Sequence, residues 1–466
     1  MRGDSSIRNA SYFTAKISNF KLPRPGLAIV FLMAVLVVDT SIFRVSDLIR
    51  INMTTDWTTP LFIVLSVLFL ILQYFTLSYV RSRNRHAIET RGFGVQSLSK
   101  LVLPVQIILS SLIVFTILEI VLLNYIDTRI VSFSAIISYC AAIFLLAILA
   151  QKFFHWFRLS KNKVVFIYSI SSSLLAIKSL FSLALITVMS SGIPLHVGSS
   201  QVGGMTLPIS ANPLASTLNE VFAVSSVLSF VFFWIATAML LTSYAKRLGR
   251  ITYWIFLSIP LVYFLSQFPA LLFKVFEDLL ISDPSFYGIL LTILYGSSAT
   301  VGGLLFGIAF WLISRHLEPG NPVRDYTLIA AFGISLFFVA DQGGSVLYRI
   351  GGIYPPFGLP TISSMTLASY FMLVGIYFSA ISVAQDSRLR KVIRKSVQEE
   401  LHLLDKIGTA EMQKVIENKV VHFAKRETKG LVEESGVESS LSDNDIQSYM
   451  KQVLDEVQKN RDNKNH

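Results

Sequence analysis

Apolar residues in this chain come in long runs, not at the short spacings of a half-buried strand or a surface helix. Ten such runs can be marked, near residues 26–43, 60–80, 101–125, 130–154, 164–189, 219–244, 251–273, 286–313, 323–340 and 361–383. Most are long enough to cross a bilayer as a helix, which takes about 20 residues. The first and ninth are short for a span, and the eighth is long enough to tilt. The pattern predicts an all-α, polytopic transmembrane helix bundle of about ten spans. It divides into a basic arm at 1–25, a transmembrane domain at 26–383 and a soluble helical tail at 384–466. The bilayer is therefore the first expected partner. The fifth run, Val164–Met189, is read as the element around which the rest is organised, because it alone carries a lysine near its middle.

Charge adds an orientation. Nineteen Lys and Arg fall in the N-terminal arm and the even-numbered connections, against five in the odd-numbered ones. Such alternation predicts that both termini are cytoplasmic. It also argues against nucleic acid as the partner of the net charge of +11, because the excess borders helix ends and the tail is balanced with 15 basic and 15 acidic residues. Composition agrees: 53% hydrophobic and 15% charged residues exclude an ordinary soluble domain of 466 residues. The basic arm and first run lack a small-residue cleavage site, so an uncleaved first helix is expected.

Two connections on the less basic side stand out. Residues 190–220 have no Lys or Arg and are rich in Gly, Ser and Pro; residues 341–360 are of similar mixed polarity. Both suit either re-entrant segments or surface lids. Asn52-Met-Thr in the first such loop fits the glycosylation pattern. The Gly303-xxx-Gly307 spacing in the eighth run predicts close helix packing.

The tail changes period. Leu389, Ile393, Val397, Leu401, Leu404 and Ile407 form one helical stripe, and Met412, Val415, Ile416, Val420 and Phe423 another. These coiled-coil-like stripes could pack on the bundle, on each other or on a protein partner, and self-association through the tail fits equally. Within the tail, RKSVQEELHLLDKIGTAEM at 394–412 resembles the juxtamembrane stretch of uncharacterised archaeal polytopic membrane proteins. That resemblance implies a plasma-membrane location and no activity.

Searching for chemistry finds little. There is no HExxH, GxSxG or GxxxxGK[ST] motif, no pair of histidines at ligand spacing, and a single cysteine, Cys140. An enzyme, a cofactor and a bound metal are therefore not expected. What remains is a set of polar residues in or beside apolar runs: Asp39, Glu119, Lys178, Gln267 and Asp341. Lys178 lies ~16 Å from the nearer end of its run at ~1.5 Å per residue. A charge at that depth needs a partner, a hydrated cavity or a neutral state. Glu119, on a parallel span, leans toward the level of Lys178 and is the expected partner. Two functions fit: a secondary transporter or channel-like protein with an outward-facing site for a small solute or ion, or a non-enzymatic sensor or scaffold whose tail recruits a partner. Pro260 and Pro269 in the seventh run, and the glycines of the eighth, favour the first.

Overall fold

The computed structural model describes residues 25–49, 57–89, 93–123, 127–190, 198–202, 205–209, 213–242, 245, 249–272, 297–318, 321–343, 356–386, 390, 401 and 403–416. Ten helices follow the ten apolar runs: α1 Pro25–Ile49, α2 Thr58–Glu89, α3 Phe93–Leu123, α4 Thr128–Ser160, α5 Lys163–Ser190, α6 Pro213–Leu240, α7 Arg250–Leu272, α8 Ser298–Arg315, α9 Pro322–Ala340 and α10 Leu359–Gln385. Among the described residues, nine of them are long and apolar enough to cross a membrane. The seventh run, α7, contributes a shorter apolar stretch, Arg250–Ser266. A further helix spans 403–416 in the tail. Among the described residues the departure from helix is a two-stranded antiparallel hairpin, β1 Gly198–Val202 with β2 Met205–Ile209, in the 190–220 connection. Asn52 and the tail beyond 416 lie outside the described residues.

The organising helix is α10, not the fifth span. Its span is 89% buried and that of α9 78%, whereas the other seven spans range from 28% to 56%. The cause is side-chain size. From Leu359 to Gln385 the sequence has no charge and is studded with Ser, Thr, Ala and Gly. Without a strong hydrophobic drive between helices in lipid, small residues decide which helices approach closely. A Cβ on Gly375 of α10 would lie 2.3 Å from the backbone nitrogen of Ala330 in α9, and one on Gly333 of α9 would lie 2.5 Å from that of Met372. The two backbones are thus in direct contact. Two of the buried hydroxyls of α10 bond back into the helix: Ser363 donates to the Leu359 carbonyl at 2.9 Å and Ser379 to that of Ile376 at 2.8 Å.

Around this pair, α4 packs on α5 and α10, α5 on α6, and α8 on α9. The Gly303/Gly307 spacing does what it predicts. Added Cβ atoms there would meet Phe338 at 2.2 Å and Ser335 Oγ at 2.0 Å on α9. An aromatic cluster ties α6, α8 and α9 together: Phe306 lies 5.2 Å from both Phe230 and Phe338, ring centre to ring centre. Such pairs contribute about 0.5–1.5 kcal/mol each beyond their burial.

Where it is described, the tail packs on the bundle. Leu401, Leu403, Leu404, Ile407 and Ala410 are buried. Gly408 lies so close to α10 that a Cβ would come 2.4 Å from Val383 Cγ1. Part of the predicted stripe is therefore spent on the bundle itself.

Candidate functional site

Lys178 sits in the middle of α5 and Asp341 just past the last residue of α9. Lys178 Nζ donates to Asp341 Oδ2, and the two side chains are only 5% and 6% exposed. The Phe222 ring of α6 lies 5.6 Å from Nζ, within cation–π range. The lysine is thus enclosed by α5, α6 and the end of α9. The partner is Asp341 and not Glu119, because α5 is brought against the end of α9.

Asp341 is placed against local preference. It is the C-cap of α9, and its own N–H bonds the carbonyls of Phe337 and Val339. The chain then makes a short 3-10 turn, Asp341–Gly343. A carboxylate at a helix C-terminus faces the negative end of the helix dipole, typically a penalty of 0.3–1 kcal/mol. Lys178 offsets both the carboxylate and that helix end. Two further buried hydroxyls lie on α5. Ser179 follows Lys178 directly, and Ser172 lies two turns earlier on the face of Ser179. Among the described residues neither Oγ has a hydrogen-bond partner, although both side chains are buried.

Asp39 is fully buried in α1 and belongs to a different arrangement. Its carboxylate accepts from the Gly358 N–H at 3.0 Å, the Thr361 N–H at 3.4 Å and the Thr361 hydroxyl at 2.7 Å. It therefore caps the N-terminus of α10 from another helix, the end where negative charge is favoured. Gly358, the N-cap, has φ of 90°, a conformation that suits glycine and turns the chain sharply into the helix. The same corner holds Thr40, whose hydroxyl donates to Thr361 Oγ1 at 3.1 Å, and Ser138 of α4, which donates to the Ile362 carbonyl at 2.8 Å.

Glu119 is half-buried near the end of α3 and accepts from the Asp127 N–H at 3.4 Å, in the turn into α4. Gln267 lies in α7, with its side chain outside the described residues. Of the four sequence-predicted residues whose side chains are described, the structure brings Lys178 and Asp341 together and leaves Asp39 and Glu119 elsewhere. Sequence reasoning missed Phe222 and Thr361, which are ordinary residues in apolar runs. It also missed a polar contact between α2 and α3, where Gln73 donates to Gln106 at 2.8 Å and to Ser110 at 3.1 Å. Gln73 and Gln106 were visible as glutamines inside apolar runs.

No family model matches the sequence, and neither curated proteins nor solved structures yield a match.

Proposed function

We propose that this multi-pass membrane protein is a secondary transporter or channel-like protein, and that the Lys178–Asp341 pair is its site for a small solute or ion. The observation that carries the reading is the pair itself: two opposite charges buried among helices apolar enough to span a membrane. Ionisable residues at such depth mark solute or ion pathways by default. The carboxylate stands at the end of α9, and helix ends are among the groups with which transporters hold ions. The unpartnered Ser172 and Ser179 hydroxyls supply further polar groups on the same helix. The scaffold reading is less well supported, because among the described tail residues Leu401, Leu404 and Ile407 are buried and the exposed apolar face is reduced to Val415 and Ile416.

Proteoliposomes test this by solid-supported-membrane electrophysiology, with concentration jumps of protons, sodium and a panel of small charged solutes. A wild-type current that disappears in Lys178→Met and Asp341→Asn, each still monodisperse, supports the reading. No current with any member of the panel, or a current intact in both variants, overturns it.

A further inference from the structure

At the end of the bundle that carries the basic loops, a second cluster joins α4, α10 and the tail. Trp156 Nε1 of α4 donates to Glu411 Oε2 of the tail at 2.9 Å, and both side chains are buried. The Trp156 ring stacks on Tyr377 of α10, with centres 6.3 Å apart and an interplanar angle of 17°. Lys152, one turn before Trp156 on α4, holds its Nζ 4.5 Å from the centre of the same Tyr377 ring and 3.4 Å from its hydroxyl. Lys414 arrives from the tail, three residues beyond Glu411, and is half-buried like Lys152.

The charges here are unbalanced. Lys152 and Trp156 lie one turn apart on α4, as Glu411 and Lys414 do on the tail helix, so the Trp156–Glu411 contact brings the two lysines to the same corner. Two ammonium groups from separate segments therefore press on each other in a partly desolvated place. The one carboxylate among them is already engaged by the indole N–H. An arrangement of this kind is relieved by an anion that touches both lysines. Trp and Tyr at the end of an apolar span are also the residues that sit at headgroup level.

We propose that Lys152 and Lys414 bind the anionic phosphate of a membrane lipid, against the wall formed by Trp156 and Tyr377. A lipid is favoured over free phosphate because Lys152 belongs to a helix apolar enough to span the bilayer and lies near its end, where headgroups collect. Basic pockets between spans at this level take acidic headgroups. The bound phosphate would staple the tail helix to α4, since each segment contributes one lysine. The inference does not depend on the transport reading; it requires only that α4 and α10 cross a membrane.

Native mass spectrometry of the full chain in neutral detergent tests it, with phosphatidylglycerol, phosphatidylcholine and inorganic phosphate as probes. Wild type should retain phosphatidylglycerol in preference to phosphatidylcholine. Affinity should fall roughly fivefold for each of Lys152→Gln and Lys414→Gln, as expected for a lysine near an anionic headgroup, and further in the double variant. Lys152→Arg and Lys414→Arg keep the charge and should keep the lipid, which separates loss of the site from loss of fold. Equal retention of the two lipids by wild type, or undiminished phosphatidylglycerol binding in the double glutamine variant, would overturn the site. Displacement of phosphatidylglycerol by millimolar inorganic phosphate would overturn the lipid assignment in favour of a soluble anion.

Discussion

The hydroxyl of Thr361 donates to the Asp39 carboxylate across 322 residues of sequence, at 2.7 Å. This contact ties the first span to the start of the most buried one. The other end of α10 is held by the opposite charge: Arg390 Nη1 donates to the carbonyl of Val383 at 3.0 Å and also to that of Ala384. An anion at the N-terminus and a cation at the C-terminus both complement the helix dipole. The central helix is thus capped at both ends by side chains from outside it.

Removing Asp39 should therefore destabilise the whole bundle. Asp39→Ala leaves the Gly358 N–H buried with no acceptor from α1, and the Thr361 hydroxyl with only the longer bond to the Leu36 carbonyl at 3.3 Å. Each such group costs about 1–3 kcal/mol. A loss of roughly 2–4 kcal/mol is expected, read as a lower thermal midpoint in detergent. Asp39→Asn keeps one acceptor oxygen and should fall between the two. A melting curve for Asp39→Ala that superimposes on wild type would show that the cap contributes nothing.

The Lys178–Asp341 pair makes a sharper test, because breaking it differs from removing it. Lys178→Met leaves a buried carboxylate uncompensated, at a cost of about 3–5 kcal/mol. Asp341→Asn leaves the ammonium in the same position. The double variant Lys178→Met/Asp341→Asn should regain a substantial part of the loss. Adding Glu119→Gln to Lys178→Met should regain nothing, because Glu119 serves the turn at Asp127. A double-mutant cycle on thermal stability decides it: additive effects for Lys178 and Asp341 would mean that they are not coupled.

Glycine substitutions separate close packing from loose packing. In Gly375→Ala the new methyl meets Ala330 backbone atoms at 2.3 and 2.6 Å, and backbone cannot swing aside. The α9–α10 pair must part, with an expected loss of at least about 1–3 kcal/mol. Gly26→Ala is the control, since its Cβ would meet only Phe332, at 3.6 Å, an ordinary contact. Monodisperse yield and melting temperature should fall for the first and hold for the second. Equal behaviour of the two variants would contradict the backbone contact.

Topology can be checked by labelling. In a Cys140→Ser background, single cysteines at Ser200 and Ser435 should differ on intact cells treated with an impermeant thiol reagent. The 19-to-5 partition of basic residues puts Ser200 outside and Ser435 inside. Reaction at Ser435 without reaction at Ser200 would reverse the orientation.

What the sequence determined by itself is the class of molecule and the place of its helices. Among the described residues, nine of the ten apolar runs became helices long and apolar enough to cross a membrane, because a backbone in lipid must satisfy its own hydrogen bonds. Gly303 and Gly307 announced a close contact through their spacing, and the tail periodicity at Leu401, Leu404 and Ile407 announced a buried face. Hydropathy carried only a weak hint of which span lies at the centre: the buried α9 and α10 are less apolar than the exposed α1, α2 and α3. The Ser, Thr and Gly content of α10 was the other available signal, and the lysine of α5 drew attention away from it. Nor could sequence choose the partner of Lys178. Glu119 has a suitable depth and direction, but α3 does not bring it to α5. Asp341, 163 residues away from Lys178, is brought there by the packing of α9 against α10 and by the point at which α9 ends. Pairing inside a bundle is decided by which backbones approach most closely, and only the tertiary structure fixes that.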